Sequence, residues 1–238
     1  MSDWTPILTG IVGSTAYGLA GPSSDVDRLS FAAAPTVAFH GLHPPTGRNA
    51  SRVSNDPDVT VHEIGKAVAL LLSCNPTVNE LLYLPDELYE VRHPLADELI
   101  AMRRSLLHAR GVRQAYLGYS RQQFDRLRNR ANGTFSSDVK NRTAKHARHL
   151  WRLCQQAQQL HVTGNLTVKV THPEICREFA ERIVTNPERG LEIAESTLAV
   201  TAMMLDTTSS ALPAEPDRAA AEAFLVRVRA AFYQPPED

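Results

Sequence analysis

Cysteine is scarce in this chain: Cys74, Cys154 and Cys176 are the only three, and none falls in a C-x-x-C spacing. An odd, scattered set excludes a disulfide framework and a zinc knuckle. Long apolar runs are also missing. The longest, AVALLL at 67–72, is far short of the roughly 20 residues a membrane span requires. The start, MSDWTPILTG, has neither a basic opening nor an apolar core, so no secretory leader is expected and a reducing cytoplasm is the expected location. What is present is ordinary for a soluble globular chain: 238 residues, 43% hydrophobic and 21% charged. That length suffices for one large domain or two small ones with a real core.

The net charge of -1 conceals an uneven distribution. Residues 103–152 carry thirteen Lys and Arg against two acids, Asp125 and Asp138. The stretches on either side carry five against twelve (1–102) and seven against twelve (153–238). Such a basic middle can meet a polyanion, or it can be exposed helix face paired to the acidic flanks.

The first third reads as α/β. TPILTGIVGS is an apolar strand ending in a Gly-Ser turn, DVDRLSFAAAP a second strand stopped by Pro35, and DVTVHEI a third, rich in β-branched residues and alternating with period two. Between the last two, residues 37–57 are full of Gly, Pro, Asn and Ser and read as a long surface loop or lid. Beyond Gly65 the periodicity turns helical. KAVALLLS, NPTVNELLYL with Asn75-Pro76 at its start, HPLADELIAMRRSLLHAR and GVRQAYLGYSRQQFDRLRNR follow one another. The clearest helix starts at a Ser137 or Asp138 cap, carries the stripe Val139, Ala147, Leu150, Cys154, Ala157 and Leu160, and stops at Gly164. Helical patterns resume in HPEICREFAERIV, LEIAESTLAVTAMML and DRAAAEAFLVRVRAAFY. QPPED is expected to fray.

The chemistry concentrates in GSTAYGLAGPSSDVD, residues 13–27. On a strand, residues two apart share a face, so Asp25 and Asp27 are expected to project side by side. Two adjacent carboxylates share a proton or bind a cation, and hard oxygen ligands favour Mg²⁺. Asp58, on a neighbouring strand, is available as a third ligand. Gly13 lets a phosphate approach the main chain, Ser14 adds a donor, and a turn into a helix leaves backbone N–H groups facing outward.

Each element alone is weak. Together, with ten residues between Ser14 and Asp25, they resemble the DNA polymerase β-type nucleotidyltransferase superfamily. GSTAYGL, SSDVD, DVTVHEI, NPTVNELLYLP and KHARHLWRL further resemble its RNA-ligase-associated (YcgL-type) branch, over about residues 5–170. The resemblance implies an NTP-dependent enzyme using two Mg²⁺ ions, with Mn²⁺ as a substitute, and a helical region after a small catalytic core. It implies that Gly13 and Ser14 hold the triphosphate and that Asp25 and Asp27 hold both metals. Asp58 would then help deprotonate the attacking hydroxyl.

Other residues admit two readings. Lys66 can reach the phosphates or stand in solvent; Tyr17 can stack on a base or pack its turn. Lys145, Arg148 and Arg152 fall at i, i+3 and i+7, placed opposite the apolar stripe, where they can clamp a triphosphate or track RNA. His146 is read as a phosphate or base contact, and His149 joins it among the nucleotide-binding candidates. His62 shares a face with Asp58 and Thr60 and so can support the site. His40 and His43 suggest zinc only weakly, without a nearby cysteine. Phe124 and Leu127, interleaved with arginines over 121–130, can grip a single strand or form a helix face. Trp151 reads as core.

The expectation is an α+β fold: a small mixed β-sheet nucleotidyltransferase palm over residues 1–90, then a helical domain over 91–238 whose basic face closes the cleft. The expected activity transfers a nucleoside monophosphate from an NTP to an acceptor hydroxyl on RNA, such as a tRNA or a repair end, releasing pyrophosphate. A protein or small-molecule acceptor, a non-catalytic nucleotide sensor, an antitoxin-like module and a structural RNA-binding protein are the alternatives. No membrane partner is expected, and assembly into a homo-oligomer stays open.

Overall fold

The three expected strands and the capped helices both appear in the computed structural model of the chain. It describes residues 4–21, 24–130 and 137–233, with the backbone alone for Arg130, Ser137 and Asp138. The expected cap at Ser137 or Asp138 and the tail QPPED therefore lie outside the described residues. The fold is α+β. Five strands form one mixed sheet: β1 (Thr5–Ile11), β2 (Arg28–Ala33), β3 (Ser51–Asn55), β4 (Asp58–Glu63) and β5 (Tyr89–Arg92). Their order is β3-β4-β2-β1-β5. β1 runs antiparallel to β2, whereas β2 and β4 run parallel, with Arg28 beside Val59 and Phe31 beside His62.

Two sequence expectations shift here. The second strand starts at Arg28, so Asp25 to Asp27 form its approach rather than its body. The expected long loop contains β3, which pairs antiparallel with β4 from Ser51 opposite His62 to Asn55 opposite Asp58. β3 is an edge strand with a polar sequence, and its only large apolar residue, Val53, is exposed. It carries little of the burial pattern by which strands are recognised.

The chain divides into two compact units. One comprises residues 1–107 and 215–238, the other residues 108–214. In the first unit, α1 (Gly13–Ala16), α2 (Ile64–Leu72), α3 (Pro76–Leu81) and α4 (Pro94–Ala101) accompany the sheet. Ile7, Leu8, Leu29, Phe31, Ile64 and Leu71 are buried in its core. Glu63 caps α2 by accepting from Gly65 N–H, and Asn75 caps α3 by accepting from Val78 N–H, each satisfying a donor that the helix cannot.

The last helix, α9 (Arg218–Ala231), belongs to this first unit. Arg229 donates to both oxygens of Glu63 at 2.6 and 3.0 Å. Glu63 is 1% exposed, so this guanidinium supplies the charge that makes its burial tolerable. Arg227 pairs with Glu98, and the Thr36 hydroxyl donates to the Arg229 carbonyl at 2.6 Å.

The second unit is helical: α5 (Ala109–Arg130), α6 (Ser137–Thr163), α7 (Pro173–Thr185) and α8 (Pro187–Thr207). The predicted stripe forms its spine, with Ala147, Leu150, Cys154, Ala157 and Leu160 fully buried and Val139, at its start, half-buried. Gly164 ends α6 in the left-handed conformation at φ 67°, its N–H donating to the Leu160 carbonyl. Phe124 and Leu127 are buried in the same core, so neither ring nor side chain is available to stack on a base. All three cysteines are buried and free. No helix among the described residues is long and apolar enough to cross a membrane.

Candidate active site

Strand direction gathers the candidate residues at one end of the sheet. β1 leaves that end through Ile11 and Val12 into Gly13, while β2 and β4, parallel to each other, enter from it through Asp27 and Asp58. The Val12 N–H donates to the Asp27 carbonyl at 2.9 Å, extending the β1–β2 ladder one residue past the strand. The β2–β4 register pairs Arg28 with Val59, and one step back it brings Asp27 alongside Asp58. Neighbouring strands lie about 4.8 Å apart. Asp58 is exposed at the tip of the β3–β4 hairpin, Asp25 is exposed, and Asp27 is half-buried.

Gly13 has φ 67°, a conformation that costs glycine little and other residues much. A Cβ there would overlap Asp27 Oδ2 and lie 3.0 Å from Asp27 Cγ. The main chain of Gly13 is thus packed directly against the Asp27 carboxylate. The helix that follows is a single turn of four residues. Ser14 and Thr15 are half-buried within it. So short a turn has little macrodipole, and attraction for an anion there falls to its first N–H groups, which have no acceptor within the helix.

The same strand directions carry other candidates elsewhere. Lys66 and His62 lie at the opposite end of β4, roughly 13–16 Å from Asp58 at about 3.3 Å per residue. Lys66 Nζ donates to Ser51 Oγ at 2.6 Å, and that hydroxyl bonds His62 Nδ1 at 2.8 Å. The hydroxyl accepts from the ammonium, and its own hydrogen can be donated to a neutral His62 Nδ1. Burial, then the Lys66 charge, holds the His62 pKa below the usual histidine value, in keeping with a neutral ring. Tyr17 also has an engagement: its hydroxyl donates to Glu80 Oε2 at 2.7 Å, tying the turn after Gly13 to α3. Glu80 and Asn79, both 1% exposed, are the buried polar part of the NPTVNELLYL segment, a supporting role that the helix pattern alone did not reveal.

In the second unit, α6 carries the remaining candidates. Lys145 is exposed, and His146 and Arg148 are half-buried. Arg152, expected on an outer face, is 6% exposed and donates to Gln156 at 3.0 Å. His146 Nδ1 bonds Gln123 Oε1 of α5 at 2.8 Å. The His149 pKa is pushed down to about 3, first by burial and then by Arg152, His146, Arg126 and Lys145. The ring is therefore neutral at physiological pH and surrounded by positive charge. Arg126 belongs to the arginine run read at 121–130, whereas the buried partners Gln123 and Gln156 were not singled out in the sequence.

Among the described residues, no three His, Cys, Asp or Glu side chains are gathered closely enough to hold a metal by themselves. His40 and His43 are both exposed and form no such group. Mg²⁺ can instead take one or two carboxylates and complete its shell with water and substrate phosphates, and Asp25, Asp27 and Asp58 are the carboxylates at this end of the sheet. The missing side chain at Gly13 is what lets the Asp27 carboxylate lie against the main chain at the turn.

A small mixed sheet with a Gly-Ser turn and two aspartates entering the next strand is the frame of a polymerase β-type nucleotidyltransferase. The profile of the RNA repair pathway DNA polymerase beta family (RlaP) matches residues 4–188, and the chain belongs to that family. Membership points to a polymerase β-like nucleotidyltransferase of an RNA repair pathway. No curated protein matches the chain.

Proposed function

We propose that the protein transfers a nucleoside monophosphate from an NTP to a hydroxyl of RNA, with pyrophosphate as the leaving group. The observation that carries this reading is the packing of Gly13 against Asp27 at the sheet end where Asp58 also enters. Gly13 and Ser14 offer main-chain and hydroxyl donors to the β- and γ-phosphates, and Asp25 and Asp27 are the ligands for Mg²⁺. Bound Mg²⁺ neutralises phosphate charge and eases ionisation of the attacking hydroxyl.

The bond that forms joins the acceptor oxygen to the α-phosphorus; the bond that breaks joins that phosphorus to the pyrophosphate oxygen. Asp58 accepts the acceptor's proton, a role suited to an exposed carboxylate. The basic face of α5 and α6, with Lys145, Arg148 and Arg126, contributes contacts to RNA phosphates. Tyr17 braces the turn after Gly13 through Glu80, whereas Lys66 and His62 support the far end of β4 through Ser51.

The test is transfer of label from α-labelled NTPs to RNA in Mg²⁺. Transfer to RNA with release of pyrophosphate supports the reading, as does binding that weakens steeply between low and high salt. Label that reaches only a protein or a small molecule, or nucleotide binding without turnover, contradicts it.

A further inference from the structure

Trp151, expected in the core, packs against the buried cluster of the second unit but is itself only half-buried, and it lines an open cleft of about 570 Å³ between α6, α7 and α8. Phe179 and Ile193 flank it. Gln155, Gln158 and Ser196 line one polar side, with Gln155 and Ser196 exposed, and the Arg189–Glu192 ion pair lies on the same lining. Gln158 Nε2 donates to Thr201 Oγ1 at 2.9 Å, which leaves its amide oxygen to act as an acceptor. The α8 wall lies beyond residue 188, where the family match ends.

We infer that this cleft holds an unpaired nucleobase of the RNA acceptor, stacked on Trp151 and met at its edge by Gln155, Gln158 and Ser196. The volume falls in the range of small-ligand sites, roughly 300–1,000 Å³. One aromatic plane with neutral amides and a hydroxyl is base-recognition chemistry: the plane accepts any base, and an amide can both donate and accept at a base edge. Charge on the same helix favours a strand over a free base. Arg148 is three residues before Trp151 and Lys145 six, so the basic row and the cleft are consecutive along α6. An RNA following that row would lay phosphates on the cations and a base over the indole. The inference rests on RNA being the acceptor, but not on turnover.

The test uses the full chain with Trp4→Phe, which leaves Trp151 as the sole indole. A single-stranded 12-nucleotide oligo(A) RNA, a duplex of equal length and Mg·ATP are titrated separately while Trp151 fluorescence is followed. The single strand is expected to quench, the duplex to quench far less, and Mg·ATP not at all. Ser196→Met, which fills the cleft from an exposed position, and Gln155→Ala are expected to weaken the single strand about tenfold with an unchanged melting temperature. Equal quenching by duplex, quenching by Mg·ATP alone, or a signal that follows protein concentration without RNA would each overturn the inference. The last would mean that a second copy covers the cleft. Failed label transfer with intact quenching would fault the catalytic reading and leave this one standing.

Discussion

The main chain of Gly13 and the carboxylate of Asp27 occupy adjoining space: a side chain on the glycine would begin where Asp27 Oδ2 now lies. The pair joins the end of β1 to the entrance of β2, so the proposed phosphate turn and the proposed metal ligand are one structural unit. Gly13→Ala must both strain a left-handed residue and displace the carboxylate. The expected result is at least a hundredfold loss of NMP transfer, with destabilisation of about 1–3 kcal/mol. Steady-state kinetics beside urea unfolding checks both parts.

Asp25→Asn should separate chemistry from folding. Asp25 is exposed on the approach to β2, where loss of its charge costs the fold within about 0.5 kcal/mol. Transfer is expected to fall by two to three orders of magnitude while the unfolding midpoint holds, the size of effect seen when transition-state charge stabilisation is removed. Activity close to the parent's would remove Asp25 from the site.

Glu63 and Arg229 hold the first unit together across 166 positions of sequence. Arg229→Met leaves Glu63 buried and unpaired, and the expected cost is about 3–5 kcal/mol. Changing both partners to apolar residues is expected to cost less than that single change. A chain ending at residue 214 loses α9 entirely and should lack a stable first unit. Urea denaturation of the three variants tests the series.

Acid should weaken the second unit through His149. Its pKa in the folded protein is pushed down to about 3, whereas the unfolded side chain titrates near 6.5. Below pH 6.5 the unfolded state gains a proton that the folded state refuses, so stability falls with falling pH until about pH 3. At pH 5 the loss from this residue is about 2 kcal/mol. His149→Gln is expected to remove that part of the pH dependence between pH 7.5 and 5. An identical acid response in the variant would contradict the assignment.

The parts of the fold that were legible in the sequence are those whose pattern reports burial. The α6 stripe from Ala147 to Leu160 translated directly into burial, and the β-branched run of β4 into a strand, although its burial does not alternate. β3 and the short β5 did not, because edge strands with exposed, polar positions lack the alternation that marks a half-buried strand. For the candidate site, the spacing of Gly13, Asp25 and Asp27 could be read, since those residues are close in the chain. The positions of Lys66 and His62 depend on β4 running parallel to β2, and nothing local encodes that direction. The return of α9 was equally invisible, since its decisive contact joins Glu63 to a residue near the other end of the chain. Arg152 was misplaced because a helical wheel gives the face of a residue but not which neighbouring helix covers it.

The most direct test of the central claim is anomalous scattering from crystals grown with Mn²⁺ and a non-hydrolysable NTP. The account predicts a peak that touches carboxylate oxygens of both Asp25 and Asp27, with the triphosphate against Gly13 and Ser14. A nucleotide bound elsewhere, or one bound beside Gly13 with manganese away from both aspartates, would contradict it.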